Sequence, residues 1–156
     1  MEPPPELLLQ IELLSILKTF NPETLIELFF IIILLLLSGL ISGSEIAFFS
    51  LEPKDLSELE DEENKINQQI LDLLRFPKRL LATILIANNL VNVAIIILST
   101  TIINNLFDFS KRLAIGFTIQ IIVVTFLLLL FGEVIPKIYS NRNPKKITQL
   151  MAYPLI

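Results

Sequence analysis

The chain contains no cysteine and no histidine. Without cysteine there is no disulfide frame, no thiolate metal site and no thiol nucleophile. Without histidine the usual transition-metal ligand, the common general base and the neutral-pH switch are all missing. No nucleophile–base pair can be assembled, so the reading is not an enzyme. Any bound metal must be held by oxygen. Charge is scarce too: 18% of residues are charged and the net charge is −4, carried largely outside the apolar runs, which speaks against nucleic acid as a partner. Glu2 and Glu6 stand where a secretory leader is basic, and no small-residue cleavage pattern follows, so no leader is expected.

What the chain has is hydrocarbon. It is 53% hydrophobic over 156 residues, with a mean hydropathy of +0.71. Leu28–Ser44, Leu80–Phe107 and Leu113–Gly132 carry no charged residue. About 20 apolar residues cross a bilayer as a helix, so each run is a spanning candidate. The expected fold is an all-α membrane protein with three transmembrane helices, at about 22–50, 79–104 and 112–135 within a domain of residues 21–156. Residues 1–20 open on Pro3-Pro4-Pro5 and continue as a Leu/Ile-rich stretch broken by Glu12 and Lys18, which predicts a peripheral or surface helix.

Asn21-Pro22-Glu23 reads as a helix start, with a capping residue, proline in the first turn and an acid behind it. Pro53 opens a second start. From there to Phe76-Pro77, apolar residues recur three and four apart against Glu58, Glu60, Asp61, Glu62 and Glu63, predicting an interfacial helical hairpin at about 53–76. The acids are read as a solvated face rather than a cation trap. Lys18, Lys111 and Arg112 fall on one side of the three crossings and the other nine basic residues on the opposite side. The positive-inside rule then puts the N-terminus outside and the C-terminus in the cytoplasm.

Polar residues interrupt the apolar runs at three places. Leu37-Ser38-Gly39-Leu40-Ile41-Ser42-Gly43-Ser44-Glu45 mixes glycine and serine. It is either a close-packing face of small residues or a loosened helix that exposes hydroxyls and carbonyls. Glu45 among apolar neighbours points to a cavity or a charged partner. Asn88 and Asn92 are four apart and share a helix face, with Asn89 rotated away. They are either an interhelical clamp or a pair of amide oxygens for a cation. Phe131-Gly132-Glu133-Val134-Ile135-Pro136-Lys137 sets a carboxylate beside a proline that cannot donate to the Gly132 carbonyl four residues back.

The depths agree. At 1.5 Å per residue, Ser42 is roughly 15 Å from Glu52, Asn88 roughly 13 Å from Arg79, and Glu133 roughly 13 Å from Arg142. Ser42, Asn88, Asn92, the Gly132 carbonyl and Glu133 therefore form one candidate metal site. An all-oxygen set suits Mg²⁺ or Ca²⁺, and five or six rigid ligands suit Mg²⁺.

With their order and spacing, Ser42-Gly43-Ser44-Glu45, Leu85-Ile86-Ala87-Asn88-Asn89-Leu90-Val91-Asn92 and Phe131 to Lys137 resemble the transmembrane domain of the CorC/CNNM magnesium transporters. The likeness covers roughly residues 24–156. Ala87 departs from it, standing where the family has glycine, and removes no ligand. The resemblance implies Mg²⁺ efflux, in some members coupled to Na⁺ entry, by a homodimer in a membrane such as the bacterial inner membrane. It also implies cytoplasmic CBS and CorC/HlyC domains, which have no counterpart within residues 1–156. Carried over by position, Ser42, Asn88, Asn92, Gly132 and Glu133 match the ion-binding motif, and Ser44 is the other serine that could fill the place of Ser42. The competing reading is a non-transporting Mg²⁺-sensing or scaffold membrane protein.

Overall fold

The computed structural model describes residues 22–61, 64–107 and 113–155. The surface helix expected at residues 1–20, and Glu62 and Glu63 of the acidic run, lie outside them. The helices are α1 (Pro22–Phe49), α2 (Pro53–Asp61), α3 (Lys65–Arg75), α4 (Pro77–Leu106), α5 (Leu113–Leu127), α6 (Ile135–Arg142) and α7 (Pro144–Ala152). A π-helical turn, Leu128–Val134, joins α5 to α6 without a break. The fold is all-α, with three helical paths long and apolar enough to cross a membrane: Pro22–Phe49, Pro77–Leu106 and Ala114–Arg142.

Proline sets four of the starts. Pro22, Pro53, Pro77 and Pro144 are each the first residue of a helix, where a missing N–H costs nothing and φ is already helical. α3 is started differently: Asn64 is extended and its side chain accepts from the Ile66 N–H at 3.1 Å.

α1 is the centre of the bundle, packed against α4, the π turn, α6 and α7. Polar ties brace the spans near their Asn105 end. Asn105 donates to the Glu27 carboxylate at 3.2 and 3.4 Å, linking α4 to α1. Gln120 of α5 donates to Thr100 of α4. At the other end α2, α3 and α7 form a small unit. Lys145 of α7 donates to Glu58 of α2 at 2.8 Å, and Gln149 donates to the buried Asn67 of α3 at 3.5 Å.

The third span departs from expectation at its end. Proline inside an α-helix costs about 3 kcal/mol or more, which places the stop near residue 135. The helix instead continues to Arg142. The π turn absorbs the ring, since the Ile135 N–H bonds the Leu130 carbonyl five residues back. Opposite the ring stands Gly39 of α1, where a Cβ would come within 2.8 Å of Pro136 Cγ.

Candidate cation site

The site begins on α1. Ser38, Ser42 and Glu45 recur at four- and three-residue spacing and so share one side of the helix. Ser38 and Ser42 are 0% and 2% exposed. That side meets the π turn and α6 through glycines. A Cβ on Gly39 would stand 3.0 Å from the Phe131 carbonyl oxygen, and one on Gly43 would overlap Ser140 Oγ. Only hydrogen fits at either place, so the two backbones approach closely.

α4 brings its two amides to this face. Ser38 Oγ lies 3.1 Å from Asn88 Oδ1 and 2.8 Å from Asn92 Oδ1, donating its proton toward these acceptors. Three side-chain oxygens therefore meet at one point. Gly132 closes the third side: a Cβ there would be 3.0 Å from Ser38 Oγ.

The widened turn loosens two carbonyls where the sequence argues for one. The α-type donor for Phe131 C=O is the Ile135 N–H, which goes to Leu130. Its π-type donor would be Pro136, which has none. Gly132 C=O loses its α-type donor at the same proline.

The residues expected at the site are thus partly assembled. Asn88, Asn92 and Gly132 come together, and the serine that joins them is Ser38 rather than Ser42. Ser42 lies one turn along, with its Oγ buried and without a hydrogen-bond partner. An orphaned buried hydroxyl costs about 1–3 kcal/mol. Ser44 is occupied, donating to the Ile41 carbonyl at 2.6 Å. Glu133 is half-buried next to Gly132, and its carboxylate makes no hydrogen bond or ion pair among the described residues. Glu45, expected to find a charged partner, has one in Lys137 at 3.4 Å. Ser38 was legible in principle: it repeats the Ser-Gly pair of Ser42-Gly43 one turn earlier on the same face.

Among the described residues no group of three or more His, Cys, Asp or Glu gathers as a metal centre. The cluster is made of neutral oxygens. Neighbouring corners of an octahedron with metal–oxygen bonds of about 2.1 Å are about 3.0 Å apart, against about 3.4 Å for bonds of about 2.4 Å. The hydrogen bonds from Ser38 to the two amide oxygens, at 2.8 and 3.1 Å, lie on either side of the smaller spacing.

Comparison with known proteins places these features in a family. The Cyclin M transmembrane N-terminal domain (CNNM) matches residues 29–156. The chain is 34% identical over 119 residues to the UPF0053 inner membrane protein YfjD of Escherichia coli K12, covering 76% of this chain and 26% of the relative. A UPF0053 protein of Haemophilus influenzae is 35% identical over 119 residues, covering 76% and 27%. UPF0053 protein sll0260 of Synechocystis is 28% identical over 137 residues, covering 82% and 31%. The match spans about a quarter to a third of each relative's length. With three helices long and apolar enough to cross a membrane, this chain is a multi-pass membrane protein of the cyclin M transmembrane-domain family.

Proposed function

We propose that the chain is the membrane part of a Mg²⁺ transporter, with Mg²⁺ as cargo and efflux as its direction. The observation that carries this reading is the meeting of the Asn88 and Asn92 oxygens with Ser38, at 3.1 and 2.8 Å, beside Gly132. Ser42 Oγ, buried without a partner, supplies a fourth donor. The Gly132 carbonyl and the Glu133 carboxylate complete the set. One carboxylate does not neutralise a divalent ion, and that balance favours release as well as capture.

In this reading Na⁺ entry is the coupled movement and two copies of the chain form the working unit. The N-terminus faces outward and the C-terminus the cytoplasm of a bacterial inner membrane. The basic residues near Arg79 and Arg142 support that orientation.

A second reading has its own support. Ser38 already bridges both amides through one shared proton, so the cluster can hold α1 to α4 in a Mg²⁺-sensing or scaffold protein that moves no ion. Flux separates the two. Mg²⁺-loaded liposomes carrying the protein should release Mg²⁺, and Glu133→Ala should reduce the release to that of empty liposomes. Equal flux from wild type and Glu133→Ala would overturn the transport reading. Mg²⁺-dependent melting without flux in either would establish the second.

A further inference from the structure

A second cavity lies away from the cation site, where α4 enters the apolar layer. It has a volume of about 490 Å³ and sits between the last turns of α3, the first turns of α4 and the turn at Pro154–Leu155. Pockets of roughly 300–1,000 Å³ hold small ligands. Leu80 and Leu155, 2% and 7% exposed, form its apolar wall. Phe76, 65% exposed, stands at its rim.

Its lining carries one acid and one base. Asp72 is the carboxylate among the lining residues, and Arg75 meets it at 3.0 Å from outside the cavity. Arg79 also lines the cavity and makes no ion pair among the described residues. Gln69 adds an amide from the α3 side. The Thr83 hydroxyl is committed, donating to the Arg79 carbonyl at 3.0 Å.

Depth narrows the ligand. Arg79 is the last charged residue before the charge-free run Leu80–Phe107. It therefore stands at the boundary between headgroups and hydrocarbon, where an arginine stem lies on apolar surface and its guanidinium reaches the polar layer. A ligand there meets a cation above and leucines below. Guanidinium is the side chain best matched to phosphate oxygens.

We infer that this cavity binds the head and glycerol region of one anionic phospholipid. Its phosphodiester lies on Arg79 and its first methylenes lie against Leu80, Leu155 and Phe76. The site is separate from the cation cluster and does not depend on the transport reading. A soluble phosphate would use Arg79 alone and leave the leucine wall empty.

Native mass spectrometry of the intact protein, released from detergent containing phosphatidylglycerol or phosphatidylcholine, tests this. Wild type should retain one phosphatidylglycerol per chain, at least tenfold more than phosphatidylcholine. Arg79→Gln should lose that preference, and Thr83→Trp, which fills the cavity but keeps the charge, should lose the bound lipid. Arg75→Gln should retain it. Millimolar inorganic phosphate should not displace it. Equal retention of the two lipids, equal loss in Arg75→Gln and Arg79→Gln, full retention in Thr83→Trp, or displacement by phosphate would each overturn the assignment.

Discussion

Leu25, Phe29 and Ile32 in the first half of α1 are 58, 61 and 56% exposed, whereas Ser38, Ser42 and Ser44 in the second half are 0, 2 and 0% exposed. In water the order would be reversed. Hydrocarbon outside the bundle solvates Leu and Phe as well as a protein core does, so nothing drives them inward. Small polar residues go inside because they allow close backbones and because their hydroxyls need partners. The first half of α1 is therefore a surface for lipid. The second half is a seam where α1 meets α4, the π turn and α6.

This contrast can be broken by putting bulk into the seam. Gly43→Leu should destabilise most, because its side chain would displace Ser140 and the Pro136 carbonyl. Overpacking of this kind costs about 1–3 kcal/mol. Ile32→Ala, on the lipid face, should stay within about 0.5 kcal/mol. Thermal unfolding in one detergent, followed by circular dichroism, compares them. Similar shifts for both would dissolve the distinction between the two halves.

The two serines sharpen it further. Ser38→Ala removes a hydroxyl that serves both amides and should cost about 1–2 kcal/mol without Mg²⁺. Ser42→Ala removes an orphaned hydroxyl and should raise stability without Mg²⁺ by about 1 kcal/mol. It should also lower the stabilisation that added Mg²⁺ produces. Melting curves with and without Mg²⁺ read both effects. A Ser42→Ala variant less stable than wild type in the absence of Mg²⁺ would mean the hydroxyl has a partner in the folded protein.

The smallest effect lies outside the membrane, in the Glu58–Lys145 pair. The Lys145 hydrogen bond, then its charge, lowers the Glu58 pKa from its ordinary 4.5. A depressed folded value means the pair's contribution is complete above about pH 4.5 and fades as acid takes the pH through the lower folded value. The pair is solvent-exposed, so the change should be slight. Lys145→Met should flatten the acid limb of the melting temperature against pH. An unchanged slope would show that Glu58 contributes nothing through this contact.

Much of the fold was legible because lipid imposes blunt rules. Charge-free runs of spanning length marked three helices, and prolines marked several starts. The Asn88/Asn92 pairing was legible from helical spacing alone. Which serine they meet was not, because a count of rises ranks depth only to within a turn, and Ser38 and Ser42 differ by one turn on the same face. The π turn was hidden for a different reason. Pro136 announced a disturbed helix, but whether the chain stops or widens depends on what faces the ring. The Gly39 notch that accommodates it lies on another helix, nearly a hundred residues earlier.

The π turn has a mechanical consequence. An extra residue in a helix behaves like a dislocation in a crystal, able to glide by exchanging one hydrogen bond per step. Gliding toward the C-terminus requires each successive N–H to change acceptor, and Pro136 has no N–H to offer. The defect is pinned from that side, as an impurity atom pins a dislocation. Strain that reaches the third span can move its slack back toward α5 but never past Pro136 into α6.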